Sequence, residues 1–313
     1  MNIKDEFRSY CARQNDIPLF LTAEWMDLIC GDDWDVLLEA KGHNIHGFFI
    51  FPLNKKLGFK RILQPHLTPY SGVWINYPEG QKDLTRIAYE KKVVSALIDQ
   101  MPQFDELNLT FYPTFTNWLP FYWKGFKQTT RYTYKIFKGQ STGALREQVK
   151  DSVRRELAKA ERSLQLFVSD DVKPLFDFKV RSFREQKRAF YLTYPFVKRC
   201  FDWCVRQGKG QILYARDEQG NVHAGIVLVW DNNCIYYLFG ASAPEYKNSG
   251  ALTFLLWKGI EMAQVQHKDF DFEGSMLEPV EQFFRNFGAT QLPYFQILKC
   301  NAPLLKLKSI LGK

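Results

Sequence analysis

Six basic side chains share one stripe of residues 138–163 and could bind a phosphate group. Apolar residues at spacings of 3 and 4 predict an amphipathic helix here, and the basic residues form its other stripe. They are Arg146, Lys150, Arg154, Arg155, Lys159 and Arg162. Because hydrogen bonds between cations and phosphates are strong, we predict that Arg154 and Arg155 contact an anionic substrate. A solvated helix face without a ligand is the open alternative.

A second group of candidate contact residues lies in residues 64–75. Pro65 and Pro69, with the serine and glycine that follow, predict a rigid loop that carries His66 and an exposed Tyr70 ring. Rigid loops above a cleft often contact ligands, so His66 and Tyr70 are predicted substrate-binding residues. The alternative is a turn whose composition serves the backbone alone.

The spacing of the histidines and cysteines argues against several other kinds of site. The five histidines form no ligand-spaced set with Cys, Asp or Glu, which predicts no metal site. The sequence has no GxSxG, GxxxxGKS/T or GxGxxG segment, which removes the simplest hydrolase, P-loop ATPase and dinucleotide-enzyme interpretations. Six scattered cysteines without a CxxC pair predict reduced thiols in the cytoplasm.

The composition predicts a globular protein with an anionic partner. The chain has 313 residues, of which 46% are hydrophobic, and a net charge of +8. This charge favours a nucleotide, CoA, tRNA or a lipid headgroup as the partner. No apolar stretch approaches about 18 residues, so we expect no membrane-spanning segment. The N-terminal sequence lacks the apolar centre of a secretory signal.

The two halves of the chain repeat one order of predicted elements. Three strands, a helix, a strand, a short helix and a long strand fill residues 34–137, and the same order returns in the second half. A shift of 163 residues places Leu107 on Phe270 without a gap, and neighbouring positions match as well. The repeat predicts one domain at 1–137 and a second at 138–313.

The second half resembles a GNAT acyltransferase domain, and two such domains in tandem resemble the Fem (FemABX) peptidyltransferase family. The segments that carry the resemblance are SVRRELAKA, ILYARDEQGNVHAGIVLVW, YYLFGAS and FDFEGSMLEPVEQFFRNFGA. The resemblance implies an α/β (α+β) fold of two tandem GNAT-like domains, each with a mixed, mainly antiparallel sheet flanked by helices. It also implies that the second domain holds the donor and that the divergent first domain is a substrate platform.

The resemblance implies an N-acyltransferase that acts on a primary amine of a small molecule or peptide. Members of the Fem family transfer an aminoacyl group from tRNA to a cell-wall peptide precursor, and other tandem GNAT-like proteins use acyl thioesters. The implied donor is therefore an acyl-CoA such as acetyl-CoA, or an aminoacyl-tRNA. No metal and no DNA partner are implied.

In GNAT enzymes that use acetyl-CoA, the pyrophosphate rests on backbone amides of a loop that begins the central helix. The residues of this chain that match the loop are Lys247, Asn248, Ser249, Gly250 and Ala251. Leu252 departs from the pattern, because a small residue is usual there and a larger side chain crowds the approach of the phosphates. CoA binding by this loop is therefore an open expectation.

Glu273 is the residue that we expect to deprotonate the amine, because it follows the strand at which a GNAT sheet splays around the reacting groups. A carboxylate among aromatic rings has a raised pKa, which suits a general base. The alternative is that Glu273 caps the next helix or pairs with a lysine. Phe284 stands where many GNAT domains have a tyrosine acid, so Tyr237 and Tyr294 are the alternative acids. Asp271 is expected to be either a solvated charge or a strand-edge charge.

Three other interpretations stay open. A duplicated transferase that has lost its chemistry would be a silent binding module. Alternating aromatic and basic residues at 121–138 could bind a nucleic acid, with tRNA as the variant that the Fem resemblance permits. The apolar and basic residues 302–313 could lie on a membrane surface, although a short closing helix is the simpler interpretation.

Overall fold

The structure of the protein is a computed structural model that describes residues 2–42 and 44–306. In chain order the helices α1 to α10 are Ile3–Cys11, Ala23–Cys30, Asp83–Asp99, Leu119–Trp123, Thr142–Gln148, Asp151–Ser163, Lys173–Glu185, Tyr194–Arg206, Ala251–Val265 and Glu278–Arg285. The strands β1 to β13 are Trp34–Lys41, Asn44–Pro52, Asn54–Lys56, Phe59–Leu63, Gly72–Ile75, Glu106–Thr110, Lys127–Ile136, Gln165–Ser169, Gly210–Arg216, Val222–Trp230, Cys234–Ser242, Asp269–Asp271 and Thr290–Cys300. The segment considered for a membrane surface is helical at 303–306, and its last seven residues lie outside the described part of the chain.

Contacts between residues divide the chain into two units. Unit 1 contains the described residues up to Arg131 together with those from Pro293 onward, and unit 2 runs from Tyr132 to Leu292. The division falls inside β7 and inside β13. Compared with the predicted domains, 1–137 and 138–313, the C-terminal strand thus lies with the first half of the chain.

Unit 1 is built on two groups of strands. β1, β2 and β5 form an antiparallel sheet. In the second group β4 pairs with β3, and β6 pairs with both β4 and β13, with β4 parallel to β6. The core between these strands and α3 and α4 is rich in phenylalanine, and Phe49, Phe111 and Phe121 are fully buried in it. Such rings bury large apolar areas, which stabilises the unit.

Unit 2 contains one sheet in the order β7-β12-β11-β10-β9-β8. All its neighbours are antiparallel except β11 and β12, which are parallel. Side chains alternate between the faces of the sheet, so Ala224 and Ile226 of β10 join the core under α6 and α9. Gly225, between them, faces Leu175 of α7. Helices α6 and α9 therefore cover one face, and α7 and α8 cover the other.

Several elements of the first half of the chain recur in the second half, and the predicted mixed α/β class is confirmed. Shifting β6, α4 and β7 by 163 residues brings them onto β12, α10 and β13. The single basic helix expected at 138–163 is two helices, because Val149 between α5 and α6 has an extended backbone (ψ 136°). The β3–β4 hairpin and β8 did not stand out in the sequence.

Candidate active site

Strands β11 and β12 part after three paired residues, and this opens a gap in the sheet of unit 2. Their parallel pairing ends at Tyr236 and Asp271, while β11 continues alone on that edge to Ser242. The chain after β12 follows β7 instead, where Phe272 N–H donates to the carbonyl of Tyr134 at 3.0 Å. Backbone groups that face the gap from β11 are therefore available for a ligand.

A tight left-handed turn forms the β12 side of the gap. Glu273 and Gly274 both have positive φ, 60° and 66°. A Cβ on Gly274 would lie 2.0 Å from the carbonyl oxygen of Tyr132, so only glycine fits against β7 at this point. The Asp271 side chain holds the turn, since its Oδ1 accepts the Glu273 N–H at 2.8 Å and the Thr133 hydroxyl at 2.5 Å.

Asp271 is fully buried and pairs with both β11 and β7, so the expectation of a solvated or strand-edge charge is wrong. Its other oxygen, Oδ2, lies 3.6 Å from the ammonium of Lys135, which is also buried. Pairing with a cation and hydrogen bonds make a buried carboxylate tolerable. The sequence could not reveal this arrangement, because Lys135 and Thr133 reach Asp271 only when β7 pairs with β12.

The carboxyl group of Glu273 has no counter-ion among the described residues. The residue is half-buried, but its Oε1 is shielded from solvent and has no hydrogen-bond partner among the described residues. Burial, and second the charge of Asp271, raise the pKa of Glu273 well above its usual value. A raised pKa makes the ionised carboxylate a stronger proton acceptor.

Tyr237 lies on β11 within electrostatic reach of Glu273. Burial, and second the charge of Glu273, raise the pKa of the Tyr237 phenol, so the hydroxyl keeps its proton at neutral pH. The ring lies over Gly240, where a Cβ would be 2.3 Å from the phenol oxygen. It also packs edge-on against Phe284, at 6.1 Å between centroids. The Tyr237 ring thus lies between Gly240 of β11 and Phe284 of α10.

The register of β11 turns the backbone of Gly240 into the gap. Ala243 N–H donates to the carbonyl of His223 at 2.8 Å, which identifies a hydrogen-bonded pair. Such pairs alternate with non-hydrogen-bonded ones, so the pair Gly240–Ile226 is of the second kind. The N–H and C=O of Gly240 thus point away from β10. Its carbonyl accepts a hydrogen bond from Lys179 Nζ at 2.7 Å, and its N–H is a candidate donor to an oxyanion.

The loop before α9 and the first turn of that helix contact Glu156 of α6. Thr253, in the first turn of α9, donates its hydroxyl to Glu156 Oε2 at 3.1 Å. A Cβ on Gly250 would lie 2.9 Å from Glu156 Cγ, so α6 packs directly on the loop. A carboxylate therefore occupies the place where the helix N-terminus would attract an anion. The Lys247 ammonium is paired with Glu185, and Ser249 Oγ accepts the Ala251 N–H at 3.3 Å.

Part of the positive charge of α5, α6 and the residues between them is not paired with a carboxylate of the described residues. Arg154 is paired with Asp151 on the same helix, and Arg146 makes a two-bond pair with Glu161 at 3.1 and 2.6 Å. Among the described residues four other cations of this segment are exposed and make no salt bridge: Lys150, Arg155, Lys159 and Arg162. Of the two arginines predicted to bind an anion, Arg155 thus has the more available guanidinium.

The remaining predicted site residues belong to unit 1. Tyr70 is fully buried, so the prediction of an exposed ring is wrong; the ring packs edge-on against Tyr112 and Tyr294, both at 5.3 Å. Tyr294 is also buried, and its hydroxyl accepts a hydrogen bond from Arg131 at 3.3 Å. His66 is exposed and borders a surface cavity of about 540 Å³.

No helix within residues 2–42 and 44–306 is long and apolar enough to span a membrane. Nor do three or more His, Cys, Asp or Glu side chains there meet in a group that could hold a metal ion.

Comparison with known proteins identifies the fold. Residues 147–278 match the family described as the acetyltransferase (GNAT) domain. No curated protein matches the sequence. The crystal structure of FemX aligns over 98% of this chain and 98% of its own, with a TM-score of 0.70 and 12% identity.

Two other solved structures share the fold at lower similarity. The structure of L-PGS from Bacillus licheniformis has a TM-score of 0.50 and 11% identity over 90% of this chain and 88% of its own. A tandem GNAT protein from the clavulanic acid biosynthesis pathway has a TM-score of 0.50 and 9% identity over 95% and 92%. The predicted tandem GNAT-like fold with Fem resemblance is confirmed, and the GNAT family match supports the predicted acyltransferase.

Proposed function

We propose that the protein is an N-acyltransferase that moves an acyl or aminoacyl group from an activated donor to a primary amine, with the reaction in the gap of unit 2. The observation that supports this most directly is the shielded, unpartnered carboxyl of Glu273 at the point where β11 and β12 part. A buried carboxyl without a partner is costly, and a substrate amine would supply the missing partner.

The residues of the gap suit attack of an amine on a carbonyl carbon. The amine nitrogen forms the new C–N bond and gives a proton to the Glu273 carboxylate. The carbonyl oxygen becomes an oxyanion that accepts the Gly240 N–H. When the tetrahedral intermediate collapses, the bond to the donor oxygen or sulfur breaks, and the leaving group takes a proton from Tyr237 or from Glu273. The raised pKa of Tyr237 keeps that proton available.

We propose an aminoacyl ester carried by tRNA as the donor, in preference to an acyl-CoA. The Glu156 carboxylate of α6 contacts Thr253 in the first turn of α9, and it would repel a pyrophosphate there. The exposed cations of α6, such as Arg155 and Lys159, favour a large polyanion instead. The Fem resemblance points to the same donor class. Unit 1, whose corresponding Thr110 donates its hydroxyl to the carbonyl of Pro69 at 2.6 Å, is proposed to carry no chemistry.

Glu273→Gln tests the chemistry. The substitution keeps the shape and removes the base, so we expect transfer to an amine to fall by about 10²- to 10⁴-fold while donor binding is unchanged. Glu278→Gln, at an exposed carboxylate of α10, is the matched control and should keep full activity. Equal activity in the Glu273→Gln variant and the wild type would overturn the assignment of the base. Binding without turnover in the wild type would favour a silent module.

A separate comparison tests the donor. Mixed aminoacyl-tRNA and a panel of acyl-CoA thioesters should differ in binding, with only the tRNA bound at low salt. Replacing Arg155 and Lys159 by glutamate should weaken tRNA binding and reduce its dependence on salt. Binding of a thioester by the wild type would contradict the choice of donor if a larger side chain in place of Ser249 or Ala251 weakens that binding.

A further inference from the structure

Lys179 of α7 brings an ammonium group to the same gap from the opposite face of β11 to Tyr237. Its Nζ donates to the Gly240 carbonyl at 2.7 Å and lies 5.2 Å from the centroid of the Phe239 ring. Phe239 in turn packs against Phe190 and Phe201, at 6.0 and 5.5 Å. The ammonium thus contacts one aromatic ring and one backbone carbonyl.

The Lys179 ammonium lacks a carboxylate partner among the described residues. Two other cations of α7 have carboxylate partners, since Arg181 binds Glu245 and Lys173 binds Asp177. Lys135 of β7 is buried and lies near Asp271. Burial lowers the pKa of Lys179 to about 8, with no anion to oppose the shift. An ammonium has three donors, and only one of these is used here.

We propose that Lys179 binds a carboxylate group of the amine acceptor, so that the acceptor is an amino acid or peptide whose amine lies close to a free carboxylate. This inference rests on the function proposed above. Glu273 borders the gap on the β12 side and Lys179 on the β11 side. The Glu273 carboxyl would contact the amine of such an acceptor, and the Lys179 ammonium would bind its carboxylate.

A contact between Lys179 and the donor is disfavoured by the charge of the donor. An acyl or aminoacyl donor presents a neutral carbonyl at the reacting end, and the amine of an aminoacyl group is itself a cation. An ammonium held beside Gly240 would repel that amine. A carboxylate on the acceptor gains a charge-assisted hydrogen bond and supplies the counter-ion that Lys179 lacks.

The test uses pairs of acceptors that differ only at the carboxylate. Free amino acids and dipeptides are compared with their C-terminal carboxamides, by calorimetric binding and by kcat/KM with one fixed donor. A hydrogen bond between charged groups makes us expect about 10- to 100-fold preference for the free acids in the wild type. Lys179→Met should bring this ratio close to one, and Lys179→Arg should restore part of it.

Lys173→Met, at an exposed lysine of the same helix, is the control and should keep the preference. Lys179→Met with an unchanged ratio would overturn the proposal. So would an equal loss with both acceptors of a pair, because the ammonium would then act on the reacting carbonyl. A preference that follows a carboxylate on the donor would place the contact on the other substrate and also overturn it.

Binding separates this inference from the proposed function. A calorimetric preference for free acids that depends on Lys179, without transfer from any donor, would support the carboxylate site and count against the transferase. Transfer to amines without such a preference would support the transferase and overturn the carboxylate site.

Discussion

Two carboxylates separated by one residue have opposite environments at the candidate site. Asp271 is fully buried but accepts hydrogen bonds from a hydroxyl and a backbone N–H and lies near Lys135. Glu273 has a shielded oxygen without any partner among the described residues. Their roles are therefore different, because the first fixes the turn and the second is available to a substrate.

The pH dependence of stability tests the environment of Glu273. Burial and the charge of Asp271 raise its pKa, so its ionisation destabilises the folded state. The stability contributed by the neutral acid is present at low pH and is lost as the pH rises through the raised pKa. The loss is about 1.4 kcal/mol for each pH unit between the ordinary and the raised pKa.

Urea unfolding of the wild type and of Glu273→Gln between pH 5 and 9 measures this difference. We expect the variant to gain stability relative to the wild type as the pH rises. The nearby titratable groups, Asp271 and Tyr237, are the same in both proteins. Curves that run parallel over the whole range would mean that the Glu273 pKa is ordinary.

At the scale of elements, the gap depends on the turn after β12. Gly274→Ala adds a methyl group 2.0 Å from the Tyr132 carbonyl at a residue with φ of 66°. The left-handed backbone and the forced contact together should cost about 3 kcal/mol or more. Gly220→Ala, with φ of 86° and open space around it, should cost only about 1 kcal/mol.

Chemical denaturation of the two glycine variants gives both free energies of unfolding. The strained backbone is common to the pair, so the difference reports the close approach to β7. Equal losses would show that the chain after β12 can move away from Tyr132, and the gap would then be adjustable.

The sequence predicts the elements better than the contacts between them. The apolar run of β10 is a local pattern, and the 163-residue shift is a match between two stretches of sequence; both predicted strands that the structure contains. The β3–β4 hairpin lacks such a pattern, because Asn54–Lys56 is polar and exposed. Two hydrogen bonds of the site, between Thr253 of α9 and Glu156 of α6 and between Lys179 and Gly240, join residues more than 60 positions apart. No spacing in the sequence predicts those pairs.

The position of Glu273 illustrates what could be predicted. A strand was expected at 270–272, and the resemblance to GNAT domains implied that the sheet parts at Glu273, Gly274 and Ser275. Tyr70 illustrates the opposite case. Prolines and a glycine predicted a rigid loop there, but whether the ring points outward depends on the pocket formed by Tyr112 and Tyr294.

For the whole molecule, the C-terminal strand is a structural part of unit 1. Ile297 of β13 is fully buried in the phenylalanine-rich core and pairs with Leu109 of β6. Ile297→Ala should therefore destabilise the protein by about 2–5 kcal/mol. Leu84→Ala, at a leucine that is 83% exposed, is the control and should change stability by less than about 0.5 kcal/mol.

Hydrogen exchange locates the effect of Ile297→Ala. We expect faster exchange of amides in β4 and β6 of unit 1, because both strands border the new cavity. Unchanged protection of these strands would mean that β13 contributes little to the core of unit 1.

The position of β13 also has a consequence for the order of events during synthesis. The ribosome makes β6 first and then all of unit 2 before it makes the strand that pairs with β6. Until residues 296–300 emerge, one edge of β6 has no partner from this chain. Nascent chains with open strand edges associate with other chains, so a molecular chaperone that shields this edge would raise the yield of the folded protein.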